Sequence, residues 1–226
     1  MRLCLIPKGF STYGALPGLG KAFAVMLCLA GPARADDPVT VLALGDSLTQ
    51  GYGLPAEEGF VPTLRDWLTD QDIDAELVNA GVSGDTTAGG AARVDWSLTP
   101  EIDAMIVALG GNDLLRGIDP GVARANLEAI LQAAQENDVA VLLVGMDAPG
   151  NYGAAYKREF DAIYPELAQE YDTLYAPDFF AGLGAGSPSE LQKYFQPDGI
   201  HPNAQGVDRI VEDLGQHVRR LIERVQ

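Results

Sequence analysis

Three short stretches of this chain bring together residue types capable of acyl transfer. Ser47 stands in Gly45-Asp46-Ser47-Leu48-Thr49, directly after the apolar run Val39–Leu44. Asn112 stands in Gly110-Gly111-Asn112-Asp113, after the run Ala104–Leu109. His201 stands in Asp198-Gly199-Ile200-His201-Pro202-Asn203. A hydroxyl, an imidazole with a carboxylate three residues before it, and a side-chain amide supply a nucleophile, a base with its orienter, and a donor for a developing oxyanion. Each stretch alone also has a plainer reading. Ser and Asp are good helix N-caps. Gly-Gly-Asn suits a tight turn, and an Asp-Gly turn before a solvated histidine is ordinary. The segment Asn79-Ala80-Gly81-Val82-Ser83-Gly84-Asp85-Thr86 reads equally as a glycine turn followed by a cap. Chemistry is favoured only if all of these converge, and that depends on the elements that carry them.

Those elements alternate. Val39–Leu44, Ala75–Val78, Ala104–Leu109 and Val139–Val144 are short Val/Leu/Ile-rich runs, with a shorter fifth at Thr173–Tyr175. Such runs fit parallel strands covered on both faces. Between them, apolar residues recur at helical spacing over Gly59–Leu68, Val122–Ala134, Ala154–Tyr171 and Ala204–Val225. Strand–helix alternation predicts a three-layer α/β/α sandwich, a flavodoxin-like doubly wound parallel sheet of about five strands. In such sheets ligands bind beyond the carboxyl ends of the strands, which is where Ser47, Gly84 and Asn112 fall. The glycine-rich segment Ala181–Pro188 reads as a surface loop, and His217, among Gln216, Arg219 and Arg220, reads as solvated.

The chain has 226 residues, 47% hydrophobic and 21% charged, an ordinary globular composition. Its 15 Lys+Arg against 32 Asp+Glu give a charge of −17, which disfavours nucleic acid as a partner. No apolar stretch reaches 18 residues, so stable insertion in a membrane is not expected. Residues 1–35 hold four basic residues and no acid. They contain the apolar run Ala22–Ala30 and end on Ala33-Arg34-Ala35, the pattern of a secretory signal peptide. Cleavage there leaves residues 36–226 as a single domain of charge −21. Both cysteines, Cys4 and Cys28, leave with the leader. Export to the periplasm or beyond follows, and thiol catalysis is excluded from the mature chain. Asp70-Gln71-Asp72-Ile73-Asp74 opens like a calcium loop, but Ala75 and Gly81 occupy the positions where Gly and Glu are required. Neither a metal nor a cofactor is expected, and no obligate protein partner.

Taken together, Gly45-Asp46-Ser47-Leu48, Ser83-Gly84-Asp85-Thr86, Gly110-Gly111-Asn112-Asp113 and Asp198-Gly-Ile-His201-Pro-Asn203 occur in one order across nearly all the mature chain. In these blocks the chain resembles the SGNH branch of the GDSL hydrolases. More closely, it resembles the bacterial periplasmic thioesterase I / protease I / lysophospholipase L1 group, with its arylesterase-like members. Leu115-Arg116-Gly117, Asn151-Tyr152-Gly153 and Ile163-Tyr164-Pro165 add to the likeness. The resemblance implies that Ser47 is the nucleophile, His201 the general base and then acid, and Asp198 its orienter. It also implies an oxyanion hole made of the Ser47 and Gly84 amides and the Asn112 side chain. The substrates it implies are small carboxylic esters or thioesters, including lysophospholipids and aryl esters. It further implies a shallow groove between loops 113–119 and 146–154. There Leu114, Leu115, Ile118, Met146, Pro149 and Tyr152 can offer an acyl-binding surface beside Asp46, or simply pack the loops. Gly117 and Gly150 would let the loops move. A carbohydrate O-acetylesterase of the cell envelope shares all the catalytic parts, and only the likeness around Leu115-Arg116-Gly117 and Asn151-Tyr152-Gly153 favours acyl-chain substrates over it. A non-catalytic periplasmic binding protein is the other alternative, though binding alone does not need the full Ser/Gly/Asn/His set.

Overall fold

A computed structural model describes residues 38–226, so the leader expected at 1–35 lies outside the described residues. Five strands form one sheet: β1 Val39–Gly45, β2 Ala75–Gly81, β3 Ala104–Ala108, β4 Ala140–Val144 and β5 Leu174–Ala176. Every neighbouring pair is parallel, in the order β2-β1-β3-β4-β5. The order reverses at the β1/β3 boundary, the switch point at which a doubly wound sheet leaves a crevice. Gly45 pairs with Gly81 on one side and Ala108 on the other. The segments that follow β1, β2 and β3 therefore leave the sheet at one level.

The helices are α1 Ser47–Gln50, α2 Phe60–Asp70, α3 Thr87–Ser97, α4 Gly111–Arg116, α5 Pro120–Glu136, α6 Ala154–Glu170, α7 Pro188–Leu191 and α8 Ala204–Val225. Helices α2 and α8 pack together on one face of the sheet; α3, α5 and α6 cover the other. The stripe of α8, from Val207 through Ile210, Leu214 and Val218 to Leu221, is buried as its spacing predicts. Pro120 sits at the first turn of α5, where the Asp119 carboxylate accepts from the Gly121 amide at 2.9 Å. Strands β1, β3 and β4 form the core, with Val41, Leu44, Val107, Leu142 and Leu143 all fully buried.

The fold departs from the sequence reading in four places. Strand β2 is not covered on both faces: it is the sheet edge, and of its residues only Leu77 is buried. Helix α3 is absent from the sequence reading because Thr87-Ala-Gly-Gly-Ala-Ala carries no apolar stripe. Its buried face is Thr87, Gly90 and Val94, and small residues there allow close approach rather than supplying a hydrophobic signal. Ala181–Pro188 is not wholly a surface loop. Leu183 is buried, and Gly182 lies so close to the Arg209 carbonyl of α8 that a methyl group there would collide with it. His217 is half-buried rather than solvated. Burial lowers its pKa, and Arg220 adds to the effect, with a guanidinium nitrogen 2.9 Å from Nδ1.

Candidate active site

Helix α1 begins immediately beyond β1. Asp46 caps it, accepting from the Leu48 amide at 3.0 Å, and this turn presents Ser47 above the sheet. The imidazole arrives from the far end of the chain. The Asp198 carboxylate folds its own turn: Oδ1 accepts from the Ile200 and His201 amides at 2.9 and 3.0 Å. Oδ2 lies 2.7 Å from His201 Nδ1, and His201 Nε2 lies 2.9 Å from Ser47 Oγ. Asp198 is held down to about 2, chiefly by its hydrogen bond with His201 and then by the two amides. An ionised carboxylate only accepts, so Nδ1 carries the imidazole proton and Nε2 is free to accept the Ser47 hydroxyl.

Helix α4 begins beyond β3 and brings Asn112 to the same crevice. Its Nδ2 donates to Asp46 Oδ2 at 3.1 Å, which leaves the second N–H of that nitrogen for another acceptor. The loop after β2 supplies Gly84, held with φ +83°. The Gly84 carbonyl accepts from Arg116 Nη2 at 2.8 Å, tying this loop to α4. Its amide and that of Ser47 find no partner among the described residues.

Behind these groups lies support that the sequence does not announce. Asp113 is fully buried, accepting from the Thr87 amide at 2.8 Å and the Thr87 hydroxyl at 2.6 Å. Asn126 of α5 donates to the same hydroxyl at 3.0 Å. The pair holds the start of α3 against α4. Arg93 of α3 donates to Asp85 at 2.7 Å and to the Gly45 carbonyl at 2.8 Å, joining the β2 loop to the end of β1. Motif spacing carries no hint of Arg93 or Asn126. The position of Asp113 beside Asn112 is the one available signal.

A cleft of about 490 Å³ opens over Ser47, Gly84, Asn112 and His201. Leu114, Leu115, Met146, Pro149 and Tyr152, all offered by the sequence as groove residues, line it. Met146 is part of its floor, 4% exposed, whereas Leu115 and Tyr152 are 58% and 42% exposed at its rim. Phe180, Ile200, Asp147 and Asp178 also line it, and the sequence reading had none of them. Ile118 does not line the cleft; its carbonyl accepts the Tyr156 hydroxyl at 2.8 Å. The Tyr152 hydroxyl donates to the Leu115 carbonyl at 3.3 Å, so the two expected loops touch.

Asp46 touches the cleft but is only 2% exposed, committed to Leu48 and Asn112 rather than open to substrate. Burial pushes its carboxyl up to about 6, partly offset by those two hydrogen bonds and by the nearby His201. A folded pKa above the unfolded 3.8 means that this group contributes stability when protonated at low pH. That contribution is lost as pH rises from about 4 through 6. The shift corresponds to about 3 kcal/mol. Unfolding free energies at pH 4 and 7 should therefore fall by about that much more in the wild type than in Asp46→Asn. A difference that does not change with pH would overturn this.

The profile of the GDSL-like lipase/acylhydrolase family matches residues 43–209. Esterase TesA of Pseudomonas aeruginosa is 38% identical over 184 residues, covering 81% of this chain and 89% of that protein. Thioesterase 1/protease 1/lysophospholipase L1 of Escherichia coli K12 is 35% identical over 202 residues, covering 88% and 92%. The crystal structure of AlinE4, an SGNH-hydrolase family esterase, superposes with a TM-score of 0.66 at 43% identity, covering 81% of this chain and 96% of that one. With the profile spanning all four blocks and relatives aligned over almost their whole length, this chain belongs to the GDSL-like lipase/acylhydrolase family.

Proposed function

We propose that the protein is a serine esterase that hydrolyses small carboxylic esters and thioesters through an acyl-Ser47 intermediate. The observation that carries this reading is the continuous chain from Asp198 through His201 to Ser47 Oγ, with bonds of 2.7 and 2.9 Å, at the mouth of an apolar cleft. Ser47 Oγ bonds to the acyl carbon while its proton passes to His201 Nε2. The carbonyl π electrons move onto oxygen, which the Ser47 and Gly84 amides and the free Asn112 N–H stabilise. One such donor is worth about 2.7–4 kcal/mol of barrier. The proton then moves from Nε2 to the leaving alcohol or thiol as the C–O or C–S bond breaks. Water, deprotonated by the same nitrogen, attacks the acyl-enzyme and releases the acid with Ser47 restored.

The hydrophobic lining of Leu114, Leu115, Met146 and Tyr152 favours acyl chains longer than acetate over an acetylated carbohydrate. The named activities of TesA and of the Escherichia coli relative, an esterase and a thioesterase/lysophospholipase, point the same way. Hydrolysis of p-nitrophenyl esters from C2 to C16 tests the reading. Rates should peak beyond C2, with Ser47 labelled by an organophosphonate. No turnover on any chain, with no labelling, would sink it.

Residues 1–35 are the export leader in this reading, and 36–226 the single hydrolase domain working in the periplasm or outside the cell. The exported protein should begin at Asp36. An exported form that retains Met1 would refute that.

A further inference from the structure

The turn that carries Ser47 and the turn that carries His201 come from opposite ends of the domain, yet their side chains must meet to within a hydrogen bond. Among the described residues, only two hydrogen bonds join segment 46–59 to segment 190–207. One is the Ser47–His201 bond itself. The other runs from Gln196 Nε2 to the Tyr52 carbonyl at 2.7 Å.

Gln196 grips the histidine turn at several points. Its Nε2 also donates to the Pro202 carbonyl at 3.0 Å. Its backbone N–H donates to the His201 carbonyl at 2.8 Å, and its carbonyl accepts from the Gly199 amide at 2.9 Å. On the other side, the Tyr52 amide donates to the Ser47 carbonyl at 3.1 Å. The Tyr52 ring lies 4.6 Å from the imidazole, centroid to centroid. Gly53, with φ +77°, leaves the space that the Gln196 side chain fills; a methyl group there would run into Gln196 Oε1. Gln196 does not line the cleft.

We propose that Gln196 is a positioning residue that fastens the His201 turn to the Ser47 turn and so sets the distance between base and nucleophile. The proposal rests on the esterase reading above. Its chemistry is specific: one terminal nitrogen must offer two N–H groups to two carbonyls. A carboxylate of the same shape offers none when ionised and one when protonated. Gln196→Glu should thus repel both carbonyls at high pH and refasten one of them at low pH. Gln196→Met keeps the length but donates at no pH.

The test uses the full chain, a p-nitrophenyl acyl ester for kcat and KM, and a p-nitrophenyl alkylphosphonate for the rate of Ser47 labelling. Gln196→Met should lower kcat and labelling about 10- to 100-fold, since a displacement near 1 Å can cost 10²-fold. KM should stay within about twofold. Gln196→Glu, relative to wild type at the same pH, should lose several-fold more at pH 8 than at pH 5.5, a slope that Gln196→Met lacks. Both variants within about twofold of wild type at every pH would overturn the proposal. So would losses that track the unfolded fraction, with no pH contrast between the variants. Failure of both to fold would do the same, since Gln196 would then hold the fold and not the register. Ser47→Ala runs beside them. A wild type with no Ser47-dependent turnover defeats the esterase reading, whereas an active wild type with indifferent Gln196 variants defeats only this one.

Discussion

Replacing Ser47 with alanine should lower kcat on any ester substrate by a factor on the order of 10⁴–10⁶ while leaving the fold intact. Ser47 is the first residue of a one-turn helix, and its capping bond belongs to Asp46, so loss of the hydroxyl removes no structural hydrogen bond except that to His201. His201→Ala should cost a similar factor, because an unassisted serine hydroxyl is a poor nucleophile at neutral pH. The two losses should not add: once either partner is gone the other has nothing to act on, and the double variant should match the singles. What survives is the contribution of the oxyanion donors and the cleft. Steady-state kinetics on one p-nitrophenyl ester, with circular dichroism to show the fold, reads all three variants. A Ser47→Ala protein that keeps more than about 1% of wild-type kcat would remove Ser47 from the nucleophile's role.

Asp198→Asn should lower kcat by a factor on the order of 10³, with KM close to wild type. The reason lies in the tautomer. The carboxylate can only accept, which keeps the proton on Nδ1. An amide can present its N–H to Nδ1 instead, which moves the ring proton to Nε2 and leaves the Ser47 hydroxyl without an acceptor. In a buried triad the same change costs about 10⁴. Here the Asp198 side chain is 37% exposed, so water partly substitutes and the loss is smaller. The backbone turn should survive, because an asparagine oxygen still accepts from Ile200 and His201. Since the Asp198 carboxyl is held near 2, it stays ionised through the acid range, and any fall in wild-type activity near pH 5–6 belongs to other groups. A kcat within tenfold of wild type would show that Asp198 shapes the turn without directing the imidazole.

The Asp46–Asn112 bond places a buried carboxylate directly behind the amide proposed as an oxyanion donor. Its negative charge polarises the amide and holds it in orientation, but in its ionised form it costs stability. The fold retains that cost where the four blocks meet. Buried polar networks that oppose stability at a reaction centre are what a catalytic site is expected to contain.

Sequence alone determined the layers and the candidate residues of this protein. The apolar run Val39–Leu44 lies within β1, Ala104–Leu109 runs one residue past the end of β3, and the period of Ala204–Val225 marks the buried stripe of α8. Those are local patterns, repeated over enough residues for burial to leave a signature. The residues after each strand were legible for a related reason: parallel strands end at one level, so whatever follows them shares an edge.

Tertiary structure decided the rest. Strand order made β2 an edge, although its residues read like those of a covered strand. Helix α3 escaped detection because it packs by small residues, and smallness leaves no hydrophobic period. Asp46 carries the same letters whether it touches substrate or caps a helix behind Asn112; only the approach of α4 to α1 separates the two. Ile118 lies within the loop expected to line the groove, yet it does not line the cleft, and its backbone carbonyl accepts the Tyr156 hydroxyl. Phe180 and Ile200 come to the cleft from the far half of the chain, and the Gln196–Tyr52 bond spans 144 residues of sequence. No spacing rule spans that separation, because such contacts are set by how helices and turns pack, not by the period of any one element.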